Sequence, residues 1–136
     1  MKGTCHCGRI EIEARAVRPV GIHCYCTICQ RISGGAGSTT VLVERADFRV
    51  VRGAELLSGY QATPHANRFH CPVCHAPIYS EEPGKPAWGV FVPAGLLDGN
   101  DIAHVVFDHI FVANLPSWQK IRDDRPQHPG LPTEKP

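Results

Sequence analysis

Ile10, Ile12 and Ala14 alternate with Glu11, Glu13 and Arg15, and this period-two pattern predicts a half-buried strand just after Cys7-Gly8. Similar apolar, β-branched stretches recur along the chain. Residues 20–25, 39–43, 48–51, 56–61 and 68–70 each predict a strand, and 78–79, 88–92 and 105–112 complete the series. Polar turns separate them, as at Glu44-Arg45-Ala46-Asp47. Helical signals are few: one turn over 27–32 and another over 116–121, the second with a proline near its start. The pattern predicts a mostly β, small antiparallel domain over residues 1–125. Residues 126–136 hold four prolines and one glycine with no packing pattern, and are expected to form an extended or mobile tail. Trp88, Phe91, Phe107, Phe111 and Trp118 are expected in the core, some of them able to line a pocket.

Composition narrows the functional classes. A chain of 136 residues is long enough to bury one core, and 43% apolar with 20% charged residues is ordinary for a globular protein. A formal net charge of +1 without a basic run argues against nucleic-acid binding. The chain shows neither an apolar stretch of membrane-spanning length nor a secretory h-region at its start, so a cytoplasmic location is expected.

That compartment decides how the seven cysteines are read. They form three clusters: Cys5-His-Cys7, Cys24-Tyr-Cys26-Thr-Ile-Cys29 and Cys71-Pro-Val-Cys74. An odd count in CxC, CxCxxC and CxxC groupings, in a reducing compartment, favours thiolate ligands over disulfides. A closed zinc site takes four ligands, so two pairs complete one site and the triplet retains an open position, the pattern of a catalytic site. Cys5 and Cys7 point to the same side of an extended chain, and Cys71 and Cys74 flank a tight turn that can aim both sulfurs at one ion. The neighbouring His6, His70 and His75 should point away from these sulfurs.

Cys24, Cys26 and Cys29 can occupy three corners of a second tetrahedron, leaving the fourth for water, an external thiolate or a carbonyl oxygen. An all-thiolate zinc is better suited to holding another soft thiolate than to acidifying water. The competing interpretation is a second structural zinc, closed by His23 or by a distant residue. Gln30 and Arg31 are placed to approach an anion, although as single residues they also fit solvated or capping roles. The Ser33–Ser38 stretch, with three glycines, is not a P-loop because it lacks the Gly-Lys-Ser/Thr ending.

Taken together, these motifs resemble the glutathione-dependent formaldehyde-activating enzyme (Gfa) family, also called centromere-protein-V-like. The resemblance rests on Gly3-Thr4-Cys5-His6-Cys7-Gly8, on Cys24-Tyr25-Cys26-Thr27-Ile28-Cys29-Gln30-Arg31, on the run from Arg68 to Tyr79, and on His109-Ile110-Phe111, Pro116-Ser117-Trp118 and Asp123-Asp124-Arg125-Pro126. Two positions depart from the family pattern: Tyr25 replaces a histidine, and His75 replaces a glycine. The resemblance implies an Mss4-like β fold with a structural zinc on Cys5, Cys7, Cys71 and Cys74. It also implies a catalytic zinc on Cys24, Cys26 and Cys29, making two zincs per chain. The implied activity is a carbon–sulfur lyase acting on a small-molecule thiol, glutathione or its formaldehyde adduct, with no membrane partner. The alternatives are a non-catalytic zinc module that binds a protein or nucleic acid, and a thiol redox protein whose thiols zinc would mask.

Overall fold

Val41 and Val43 on one strand are fully buried against one layer, while Leu42 between them is fully buried against another. A strand covered on both faces explains why the sequence there is continuously apolar. A computed structural model describes residues 1–82 and 88–133. Its strands are β1 (Lys2–Thr4), β2 (Glu11–Ala14), β3 (Val20–Cys24), β4 (Ser38–Val43), β5 (Phe48–Arg52), β6 (Ser58–Thr63), β7 (Ala66–His70), β8 (Pro77–Glu81), β9 (Val90–Pro93) and β10 (Val106–Ile110), with α1 (Thr27–Ser33) between β3 and β4. The mostly β expectation is met.

The strands form two sheets, one ordered β1-β2-β5 and one ordered β10-β3-β4-β9-β8-β7-β6. Pairing is antiparallel except between β10 and β3, which run parallel with Ile110 beside Cys24. Ile12, Ala14 and Phe48 of the small sheet pack with Val41, Val43, Ile78, Val90 and Val92 of the large one. This main core also contains Cys5 and Cys71. On the opposite face of the large sheet, Ile22, Cys24, Cys29, Leu42 and Ile110 form a second cluster, with Trp88, Phe91 and Phe111 against it. The sheet thus places the two cysteine groups in different apolar clusters.

Several local expectations need correction. Residues 116–121 form a turn, with Gln119 N–H donating to the Pro116 carbonyl at 3.0 Å, and the 3-10 turn falls earlier, at Val112–Asn114. The cause lies at Phe111, whose φ of 56° turns the chain out of β10 and ends that strand before residue 112. Leu56 belongs to a 3-10 turn and β6 starts at Ser58. Trp88 precedes β9, which begins after Gly89. Trp118 is 69% exposed and is not a core residue.

Beyond β10, the Pro126 carbonyl accepts from His109 N–H at 2.9 Å, and His128 N–H donates to the His109 carbonyl at 2.8 Å. The first residues of the proline-rich segment are thus extended and hydrogen-bonded to β10. Residues 134–136 lie outside the described part.

Candidate metal centres and active site

Cys5 follows β1, and Cys71 follows β7, so each pair is delivered by a strand end. Cys7 Sγ lies 3.6 Å from Cys5 Sγ and 3.7 Å from Cys71 Sγ, and the four sulfurs of Cys5, Cys7, Cys71 and Cys74 lie within 4.8 Å of one another. A tetrahedron with metal–sulfur bonds near 2.3 Å has edges of about 3.8 Å, so the observed spacing fits a four-thiolate ion. Backbone turns fix the geometry: Cys5 N–H bonds the Ile10 carbonyl, Ile10 N–H points at Cys5 Sγ, and His75 N–H closes on the Cys71 carbonyl. The Cys7 thiol is drawn down to about 6, first by hydrogen bonding from the Arg9 backbone and side chain, against a smaller opposing effect of burial. His75 adopts φ 63°, a left-handed conformation that explains a glycine preference at this position.

The second group is built where β3 ends and α1 begins. Cys24 is the last residue of β3, Cys26 caps α1 and accepts from Cys29 N–H at 3.3 Å, and Cys29 sits in the first turn. Gly37 permits this approach, since a side chain there would collide with the Cys24 carbonyl. The three sulfurs lie within 4.8 Å of one another, with Cys24 and Cys29 buried and Cys26 half-buried. Among the described residues no histidine or carboxylate joins either sulfur group, so each group as a donor set suits a soft ion such as zinc.

Strand alternation disposes of the closing histidine. His23 faces away from Cys24, donating to or accepting from Thr39 Oγ1 at 2.8 Å and stacking near Phe107 and His109. Tyr25 also faces that side. Its hydroxyl lies 2.8 Å from His109 Nδ1, and His109 Nε2 lies 2.9 Å from Asp123 Oδ1. The hydrogen bond from His109 holds the Asp123 carboxyl below its ordinary value, helped by Arg125 N–H. The residue replacing the family histidine is therefore a tether between the triplet loop and the C-terminal segment. Gln30 has a similar role: its amide donates to the carbonyls of Tyr25 at 2.7 Å and Asn114 at 2.8 Å. Arg31 is exposed and lines neither of the two cavities beside the triplet.

One residue not singled out by sequence reasoning enters the site. Arg68 of β7 places Nη2 3.2 Å from Cys29 Sγ. Hydrogen bonds from Cys24 and Cys26 are the main cause holding the Cys29 thiol far below its ordinary range, with Ser38 and the Arg68 charge adding to the effect. Hydrogen bonding with Cys26 and then Cys29, together with burial, pushes the Cys24 thiol up. Two polar atoms beside this group, Arg68 Nε and Thr40 Oγ1, are buried without a hydrogen-bond partner among the described residues. Both residues line cavities that open at Cys29. Buried polar groups left unpaired are costly, so these two mark a part of the structure where a bound group could supply the missing partner.

A β scaffold carrying one four-cysteine group and one three-cysteine group beside a cavity defines a protein whose sulfur groups could hold soft metal ions. A family model described as glutathione-dependent formaldehyde-activating enzyme matches residues 1–114, and the chain belongs to that family. A Halomonas elongata protein, provisionally named as a glutathione-dependent formaldehyde-activating enzyme, is 32% identical over 127 residues, spanning 89% of this chain and 80% of that one. A crystal structure of a Rhodobacter sphaeroides protein superposes with a TM-score of 0.62 at 31% identity, covering 79% of this chain and 99% of that one. Family membership supports an activity related to glutathione.

Proposed function

We propose that this chain is a zinc-dependent carbon–sulfur lyase that interconverts a thiol–aldehyde adduct with free thiol and aldehyde. In this reading Cys5, Cys7, Cys71 and Cys74 hold a structural zinc, and Cys24, Cys26 and Cys29 hold a catalytic one. Bound at the triplet, zinc would supply a soft Lewis-acid position that favours the thiolate form of an incoming thiol.

The chain's own residues supply orientation and charge stabilisation. In the synthetic direction the sulfur's electron pair forms the C–S bond, and the carbonyl π pair moves onto oxygen, which takes up a proton. In this reading Arg68 and Thr40, which line the cavities at Cys29 and carry unpartnered polar atoms, turn those atoms to that oxygen as it gains charge. Arg68 also fixes Cys29 through Nη2, so one guanidinium spans the thiolate group and the reacting oxygen. The apolar cluster of Ile22, Leu42 and Ile110 beneath the triplet keeps the surroundings of low polarity, which strengthens these contacts. The reverse direction uses the same contacts. Bringing thiolate and carbonyl together in this setting accelerates addition chiefly through proximity.

The observation that carries this proposal is the pair of unpartnered buried polar atoms, Arg68 Nε and Thr40 Oγ1, beside an open three-thiolate group. Exchange spectroscopy by NMR on mixtures of glutathione and aldehyde tests it. The metal-loaded chain should raise the interconversion rate above the uncatalysed rate, and Cys26→Ser should abolish the gain while leaving a folded protein. An unchanged rate with the metal-loaded chain would refute the lyase assignment.

A further inference from the structure

Tyr25 separates two of the three triplet thiolates, and it is held at three points. Its N–H donates to the Ile110 carbonyl at 3.1 Å, its carbonyl accepts from the Gln30 amide at 2.7 Å, and its hydroxyl lies 2.8 Å from His109 Nδ1. His109 is buried and continues this chain of bonds through Nε2, which lies 2.9 Å from Asp123 Oδ1 and 3.2 Å from Oδ2. Asp123 is itself anchored: Arg125 N–H donates to its Oδ1 at 3.0 Å, and the Arg125 guanidinium pairs with Asp108 of β10. An ionised Asp123 only accepts, so Nε2–H donates, and a neutral imidazole then accepts the Tyr25 O–H at Nδ1.

The mechanism above uses none of these groups. Tyr25, His109 and Asp123 line neither cavity beside Cys29, so none of them is placed to touch a substrate there. What they can move is the triplet. The His109 ring stacks on both His23 and Tyr25, at 5.2 Å and 5.8 Å between centroids, which fixes the imidazole and with it the Tyr25 ring. Cys29 is held separately, in the first turn of α1. A rotation of Tyr25 therefore shifts the Cys24 and Cys26 sulfurs against that of Cys29. Groups that hold a metal's ligands in place, without touching the metal, tune its affinity and reactivity.

We propose that Asp123 and His109 are positioning residues for the triplet centre, acting through the Tyr25 hydroxyl to set the spacing of the Cys24 and Cys26 thiolates. This rests on the reading of the triplet as a metal centre. A half-exposed carboxylate beyond β10 thus controls a site that it does not touch.

Cadmium-113 NMR on the full chain, with cadmium loaded in place of zinc, tests the assignment. The natural chain should give two resonances, one for each sulfur group, and Cys26→Ser identifies the one from the triplet. Tyr25→Phe and Asp123→Ala should each shift that resonance and weaken cadmium there about tenfold against a competing chelator. The resonance and affinity of the four-cysteine group should not change. The double variant should lose no more than either single one, because both act through one chain of bonds. Asp123→Asn keeps an oxygen to accept from His109 Nε2–H and should recover most of the affinity. An unmoved triplet resonance, equal weakening of both sulfur groups, or losses that multiply to about 100-fold in the double variant overturns the proposal. A natural chain that gives one resonance only overturns the metal reading of the triplet itself, and the positioning role with it.

Discussion

Cys71→Ser is expected to destabilise the whole domain, whereas Cys26→Ser should not. Cys71 is fully buried within the main core, and its sulfur lies 3.7 Å from that of Cys7, 64 positions earlier in the chain. An ion joining these two segments closes a loop of that length, and the closure entropy scales as about 4 kcal/mol beyond a constant. The triplet spans only residues 24 to 29, for which the same scaling gives about 1 kcal/mol. Serine at position 71 supplies a hard hydroxyl in place of a soft thiolate, so the ion is weakened and the long-range clip with it. For a chain of this length, about 4 kcal/mol corresponds to about 14 °C in Tm, and a domain has only ~5–15 kcal/mol to lose. Thermal melts followed by circular dichroism, with zinc present and again after chelation, measure the difference. Cys71→Ser should melt at least about 10 °C lower than the natural chain and gain little from added zinc, while Cys26→Ser stays within a few degrees. A Cys71→Ser protein as stable as the natural one, or equal losses for the two variants, would refute the division of labour between the sulfur groups.

Three further outcomes follow from particular contacts. Arg68→Met removes both the Cys29 contact and the unpartnered Nε–H, and kcat/KM in the exchange assay should fall by about 10²–10³-fold with metal content unchanged; a full-rate variant would remove Arg68 from the mechanism. His75→Gly relieves a left-handed residue and should raise Tm by about 3 °C, while His75→Ala should give no gain; a gain with alanine would assign the effect to the imidazole. Asp123 is depressed chiefly by its His109 bond, so its stabilising contribution is complete above the unfolded carboxyl value of about 4 and is lost as pH falls through the lower folded value. The Tm difference between the natural chain and Asp123→Asn should therefore be constant above about pH 4 and shrink in more acidic solution; a difference that widens in acid would contradict that linkage.

The strands were legible because most are half-buried or doubly buried, and burial on a pleated surface writes itself as alternation or as an apolar run. β1 left no such signature. In Lys2-Gly3-Thr4 only Gly3 is buried, and it is buried because the Leu96 carbonyl and Leu97 leave no room for a side chain. The partition of cysteines into two pairs and a triplet was equally legible, since ligand spacing is a local property. Arg68 was not. It reaches Cys29 only because the large sheet carries β7 across to the triplet side, and no local pattern encodes that register. Tyr25, His109 and Asp123 are likewise assembled from distant segments, joined by hydrogen bonds that meet at His109. Composition also concealed the pairing beyond β10, where the Pro126 carbonyl and His128 N–H do the bonding despite the proline content. Phe111 ended its strand early through a backbone angle that aromatic residues rarely adopt.

The central claim is that the two sulfur groups differ in kind, one closed and one open to a thiol. Metal analysis of the full chain, followed by zinc-edge X-ray absorption with and without glutathione, addresses it most directly. Two zincs per chain are expected, one for each sulfur group. Glutathione should alter the coordination of one of them, and Cys26→Ser should abolish that change. Two zincs whose spectrum ignores glutathione would contradict the account.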